Sequence, residues 1–510
     1  MKSTAEVRAL TSERKQKFDV IFDKLSPYGR YNGLVFLLVQ LLNFSHVLDS
    51  VSNFTSIGGL KPKYVCQGLS NTTDQCTILR NCSNLKVESN FYSIYQEFQW
   101  ACIDVSVPWM LISLTWVLYL PGYLVTGQLA DRYGRKLPVI SGVFASCVGS
   151  FFLAFSPTWQ FFLIVQIAMS VVYPMYAMPL FPLLMETVGK KYRFLQSFAT
   201  QWILAFPFAG LVAYLTRNWR YMLYVNIALS VPTWILMLLL IQESPRWLIQ
   251  KRRFKEAAKA LNRIAKVNGQ SNVSFSAEEL HVIDVGEDPK AHLSDLFIIF
   301  RNKTLLKFTV CLTATSLSVS LVWNVIFMNI TDLAGSPFLN VALFGLLRAW
   351  TPLLILVDRK AKWFGRRMQL LGALGTALLC LLSIVAVYSL GYRTKLHLLT
   401  TFIGLFAFGV STSVGGLAKD QLEAELFPTI IRATATSAVD VLRTGASAIA
   451  PQLVYLKNVW IGFPYLAVSC FLAAAFGLCF TFIPETKHKT LPDNFHAESE
   501  KEQQLPETEV

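Results

Sequence analysis

Nine stretches of this chain run without a single Asp, Glu, Lys or Arg: 31–48, 105–130, 137–185, 194–216, 221–242, 308–331, 368–392, 396–418 and 458–484. A helix needs about 20 mainly apolar residues, with a range of roughly 17–25, to cross the hydrocarbon core. Each stretch is long enough to span a bilayer. The 49-residue run 137–185 holds two crossings, because "FSPTWQ" at 155–160 is a proline-bearing polar turn near its middle. Two further apolar stretches, 333–357 and 433–456, have the right length but are interrupted, the first by Arg348 and the second by Asp440 and Arg443. Together these make twelve crossings. Only helices and closed barrels satisfy their backbone groups in hydrocarbon, and these runs are far too long for barrel strands. The expected fold is an all-α membrane protein with twelve transmembrane helices. The composition agrees: 53% of the 510 residues are hydrophobic and 15% charged, against about 25% charged in soluble domains. A soluble enzyme is excluded.

Loop charge sets the expected orientation. The short loops after spans 2, 4, 8 and 10 carry 13 Lys or Arg, and those after spans 3, 5, 7, 9 and 11 carry 5. By the positive-inside rule both termini are cytoplasmic. The charged residues 1–30 precede a full-length span, so a cleavable signal peptide is not expected. The net charge of +14 is mostly this topology signal and does not indicate a nucleic-acid partner. Four of the nine cysteines, Cys66, Cys76, Cys82 and Cys102, fall in the long first loop, 49–104, which this orientation places outside. Outside is oxidising, so two disulfides are expected, in any of three pairings. The same loop holds glycosylation triplets at Asn53, Asn71 and Asn81, whereas those at Asn272 and Asn302 fall on the cytoplasmic side and are chance matches.

The chain also repeats itself. "GQLADRYGRK" follows span 2 and "DRKAKWFGRR" follows span 8; Glu186 precedes Arg193 by seven residues after span 4, and Glu425 precedes Arg432 by seven after span 10. "ESPRW" follows span 6 and "PETKHK" follows span 12. All three signatures recur six spans apart, which implies two six-helix halves, 31–242 and 308–484, joined by a cytoplasmic linker 243–307 and followed by a cytoplasmic tail 485–510. Within the linker "RRFKEAAKALNRIAKV" reads as a basic amphipathic helix.

These features resemble the major facilitator superfamily. The large cysteine-bearing loop ending "EFQWAC" (97–102), with "ELFPTIIR" (425–432), resembles within it the organic cation, anion and carnitine transporter family. The likeness runs from about residue 15 to 490. It implies alternating access about a midplane site. The charged loop residues then form a gate: Asp131, Arg135, Glu186, Arg193, Glu243 and Arg246 from the first half, with Asp358, Arg366, Glu425, Arg432 and Glu485 from the second. The competing reading is that they are interfacial anchors that only set topology.

Inside a membrane an ionisable residue is functional by default. Arg443 sits mid-span in the helix where the resembling family places an arginine in anion and zwitterion carriers and an aspartate in cation carriers; Asp440, three residues earlier, could neutralise it. Arg348 in span 8 has no acid three or four residues away, so it should face a water-filled cavity or a partner from another helix, or else snorkel to the interface. Trp323 with Asn324 in span 7 matches the family's aromatic–polar pair, and its ring could stack on a flat or cationic substrate or simply pack. Trp116, Tyr119, Tyr176, Gln201 and Trp202 are further substrate-binding candidates, while His46 reads as packing.

Three departures from the family stand out: Gln166 where an arginine is usual, the longer "DRKAKWFGRR" loop, and Lys419 with Asp420 at the end of span 10. No P-loop, metal-binding cluster or elbow-borne serine occurs, so neither an enzyme nor a cofactor is expected. The expected function is a plasma-membrane carrier of small organic ions, anions or zwitterions before simple cations, set in the lipid bilayer and either facilitated or coupled to an ion rather than powered by ATP hydrolysis. The alternatives are a sugar or polyol porter and a non-transporting receptor or scaffold on a transporter fold.

Overall fold

The computed structural model describes residues 25, 28–54, 62–66, 75–82, 85–103, 106–188, 192, 196, 201–270, 272–282, 301–330, 333–350, 365–427 and 432–486. It is helical apart from one two-stranded antiparallel ribbon. In chain order the elements are α1 (Arg30–Phe54), β1 (Lys63–Cys66), α2 (Gln75–Asn81), β2 (Leu85–Glu88), α3 (Ile94–Glu97), α4 (Ser106–Tyr133), α5 (Lys136–Ala154), α6 (Trp159–Glu186), α7 (Ala205–Thr216) and α8 (Trp219–Leu240). Three short helices follow, α9 (Pro245–Gln250), α10 (Phe254–Val267) and α11 (Ala277–Val282). Then come α12 (Lys303–Met328), α13 (Pro337–Leu346), α14 (Arg366–Ser389), α15 (His397–Val410), α16 (Gly416–Leu426), α17 (Arg432–Tyr455) and α18 (Phe463–Phe482).

Among the described residues nine helices are long and apolar enough to cross a membrane, and α7 and α13 are shorter apolar helices. With the charge-bearing α17, a helix stands at each of the twelve expected crossings. Two boundaries differ from expectation because a charge was taken to end a span. The first helix runs on past Asp49 to Phe54, so Asn53 lies in α1 and not in the loop; it is buried and its amide donates to the Asp49 carboxylate at 3.4 Å. An oligosaccharide needs that amide free and exposed. Asn71 and the side chain of Asn81 lie outside the described residues. The tenth crossing continues through Lys419 and Glu423 to Leu426, by way of a π-helical turn, Ser411–Gly415, that joins α15 to α16.

The chain divides into two compact units: residues 1–104 with 118–288, and residues 105–117 with 289–510. In the first unit Val35, Val39 and Leu42 of α1 share a buried core with Val139 and Val143 of α5 and Leu180 and Leu183 of α6. Gly142 permits the α5–α6 approach, since a Cβ there would stand 2.9 Å from the Tyr176 backbone nitrogen; small residues of this kind let membrane helices pack closely. The linker helix α10 joins the same core through Ala257, Leu261 and Ile264, which fall three and four apart on one face.

The long first loop is closed by Cys66–Cys82 and Cys76–Cys102, which selects one of the three pairings. It is also latched to the first unit. Tyr92 donates its amide to the Arg217 carbonyl at 2.8 Å, and its own carbonyl accepts from the Trp219 amide at 3.1 Å. The Glu97 carboxylate of "EFQWAC" accepts from the Trp219 indole at 2.7 Å and from Arg220 Nε at 3.0 Å, while Arg220 Nη2 donates to the Ser156 carbonyl at 2.7 Å. Charge-assisted contacts of this geometry are the strong ones.

Candidate functional site: buried charges, an aromatic shell and paired clamps

In the first unit α1 carries His46 and Asp49 one turn apart, so both lie on one helix face. The His46 ring stacks on Tyr173 of α6 with centroids 4.4 Å apart, and its Nδ1 is 3.2 Å from the Tyr176 hydroxyl. Trp202 lies 5.7 Å from the same ring, and Tyr119 of α4 lies 5.2 Å from Tyr173. Three scattered candidates from the sequence, Tyr119, Tyr176 and Trp202, are thus brought together around a histidine expected only to pack. Gln201 joins through its backbone, whose carbonyl accepts from the Gln40 amide at 3.5 Å. Trp116, half-buried on α4, belongs to the second unit. Sequence reading missed Tyr173 and Asp49. The signals were present as Tyr173 and Tyr176 at helical spacing, and as His46, Asp49 and Asn53 along "SHVLDSVSN".

The Asp49 carboxylate accepts from Asn53 through Oδ2, and its buried Oδ1 has no hydrogen-bond partner among the described residues. It stands one turn after His46 on α1, on the helix face whose histidine meets the aromatic shell.

The second unit is built differently. Asn324 of α12 is buried and donates to the Ser320 carbonyl at 2.8 Å and to the Ser447 hydroxyl of α17 at 3.1 Å, pinning two helices together. Trp323 meets Phe344 edge-on at 5.0 Å and Phe408 at 5.1 Å, and the Arg348 guanidinium stands 5.5 Å from its ring. The ring therefore already holds a cation of the chain itself. Arg443 Nε is 3.3 Å from Asp440, the intrahelical pairing its spacing allowed. Asp440 is shared: Lys419 Nζ stands 3.8 Å from it, 3.2 Å from Glu423 and 3.0 Å from Asp420. Lys419 and Glu423 are 8% and 3% exposed, whereas Arg443 and Asp440 are half-exposed, so the network runs from the packed interior to an accessible edge.

The gate candidates form two matching clamps. In the first, Glu243 accepts the backbone amides of Arg135 (2.9 Å), Lys136 and Ser244, capping the start of α5. Glu186 takes Arg135 Nε at 2.8 Å and the Ser244 hydroxyl at 2.6 Å. Gly134 makes this possible: its φ is +102° and Glu243 fills the space a Cβ would need. In the second clamp Glu485 accepts the amides of Arg366 (2.9 Å), Arg367 and Thr486, while Glu425 faces Arg366 Nε at 3.5 Å and takes the Thr486 hydroxyl. Each of these contacts closes within one unit. Arg246 is half-buried on α9. Arg193 and Asp358 lie outside the described residues, and so do the side chains of Asp131 and Arg432, which stand on α4 and α17.

Helices of membrane length that carry buried charges and rings at depth, in two sets with the same clamp, define a multi-pass membrane transporter. The chain belongs to the sugar (and other) transporter family, whose model matches residues 56–494. Its fold is that of the major facilitator superfamily. The inward-open xylose transporter XylE from E. coli aligns with a TM-score of 0.60 at 18% identity, covering 90% of this chain and 97% of that one. Its sequence is 29% identical to bovine solute carrier family 22 member 1 over 79% of this chain and 69% of the relative. It is also 29% identical to mouse member 4 over 79% and 71%, and to human member 2 over 79% and 70%.

Proposed function

We propose that this chain carries small organic ions, anions or zwitterions before simple cations, across the plasma membrane by alternating access, with both termini cytoplasmic. Its solute carrier family 22 relatives support the substrate class, and the observation that carries the charge preference is Arg348. A guanidinium within a span is costly, and here it lies against Trp323 in the second unit. An anionic group of the substrate would meet it. Arg443 is the second candidate, because it stands half-exposed beside Asp440, where a substrate carboxylate could reach it. The clamps serve as the gate's frame by keeping each half rigid while it moves. Transport in this reading is facilitated or coupled to an ion, because no ATP-binding motif is present in the sequence.

The test is uptake of labelled organic anions, cations, carnitine and a hexose in expressing cells beside mock controls. Anion or zwitterion uptake should exceed mock. Arg348→Gln should lower affinity for those substrates by roughly 10- to 150-fold, the equivalent of about 1.5–3 kcal/mol for a charge-assisted contact. Hexose uptake alone would point to a sugar porter, and no uptake by a well-expressed protein to a receptor. A glycosidase shift that disappears in Asn71→Gln with Asn81→Gln, and persists in Asn53→Gln, checks the orientation.

A further inference from the structure

The carboxylates Glu423 and Asp440 in the second unit's spans stand beside cations. Glu423 and Asp440 both stand within 4 Å of Lys419, and Asp440 also pairs with Arg443. Asp49 in the first unit has none among the described residues. Its only described hydrogen-bond partner is the neutral Asn53 amide at 3.4 Å, its buried Oδ1 is unpartnered among the described residues, and no described lysine or arginine forms an ion pair with it. Burying an ionised carboxylate without a partner costs several kcal/mol or more. Such a group persists by taking up a proton or where something outside the chain answers it.

The surroundings say what that something is. Asp49 stands one helical turn from His46, whose Nδ1 is 3.2 Å from the Tyr176 hydroxyl, and Tyr119 lies 5.2 Å from Tyr173. Tyr173 packs edge-on against Tyr176 at 5.3 Å and face-on against His46 at 4.4 Å, and Trp202 adds a fourth ring beside the histidine. A metal ion would need several oxygen or nitrogen ligands, and no group of three His, Cys, Asp or Glu is gathered among the described residues. An alkylated ammonium needs one negative charge and aromatic faces for its methyl or methylene groups. From this juxtaposition we infer that Asp49, with Tyr119, Tyr173, Tyr176 and Trp202, binds the cationic group of an organic substrate. The inference rests on the organic-ion reading and narrows it: the substrate carries a positive group, and simple anions are excluded. It also moves charge selection onto α1, since Asp440 is already engaged by Arg443 and Lys419.

The test uses the full chain in lipid nanodiscs with tetramethylammonium, carnitine and butanoate as probes. Tetramethylammonium and carnitine should bind saturably and quench tryptophan fluorescence. Asp49→Asn keeps the shape of the side chain and should weaken both by about tenfold or more, and butanoate should bind neither the wild type nor the variant. Tyr173→Leu should weaken them less. Should Asp49→Asn fail to fold, labelling of the wild type with a hydrophobic carbodiimide, read by peptide mass spectrometry, replaces it: tetramethylammonium should protect Asp49. Unchanged ammonium affinity in Asp49→Asn, no protection, or no binding of either ammonium probe overturns the inference. So does a variant that binds ammonium normally and loses only the proton dependence of uptake. Anion uptake indifferent to Asp49→Asn would leave the carrier reading standing and sink this one. Ammonium binding that depends on Asp49 without any uptake would do the reverse.

Discussion

The charged groups of the two units differ in whether they come twice. The clamps are duplicated atom for atom: Glu243 and Glu485 each accept three backbone amides, and Glu186 and Glu425 each face an arginine and take a hydroxyl, from Ser244 and Thr486. The groups at membrane depth are not. The first unit sets one carboxylate among aromatic rings, and the second sets Lys419, Arg443 and Arg348 among acids and a tryptophan. The contacts that tie helix ends together within a unit have been kept in both copies. What a particular substrate's charge needs differs between them.

That contrast can be broken by mutation, and the largest effect belongs to the unduplicated network. Lys419→Met leaves Glu423 buried without its cation, which costs about 3–5 kcal/mol, so surface level and thermal stability in detergent should collapse. Adding Glu423→Gln should restore most of the loss. A single mutant as stable as wild type would mean the lysine contributes little to holding α16. Next in size are the clamps. Glu243→Ala and Glu485→Ala each remove the acceptor for three amides and should each lower stability by about 1.5–3 kcal/mol. Melting temperatures that fall for one and not the other would show that the duplication is geometric only. The smallest effect is expected at Arg443→Gln. Asp440 keeps Lys419, and half-exposed pairs contribute under about 1 kcal/mol, so this protein should express normally and its anion affinity can be read without a folding artefact. Loss of expression there would place Arg443 with the structural groups.

The twelve crossings were legible because lipid tolerates long apolar runs and little else, and the clamps were legible because their residues recur at one offset. The partners inside those clamps were not. Glu243 and Glu485 cap helix starts through backbone amides, which carry no sequence signature and are brought near only by tertiary folding. The aromatic shell was half legible. Tyr119, Tyr176 and Trp202 stood out as polar aromatics in apolar helices, but Asp49 was lost because a charge was read as the edge of a span. Lipid forbids a carboxylate only where it faces lipid; inside a bundle an acid can sit at depth if something answers it. The same misreading shortened the tenth crossing at Lys419, whose charge is answered by Asp420, Glu423 and Asp440.

The latch formed by Tyr92 and Glu97 on residues 217–220 makes the disulfide-closed loop a built-in handle. A nanobody or a rigid spin label fixed to that loop inherits the tilt of the helices beneath it. In the proposed orientation that handle faces outward, so the conformational cycle could be followed from outside the cell without altering the spans.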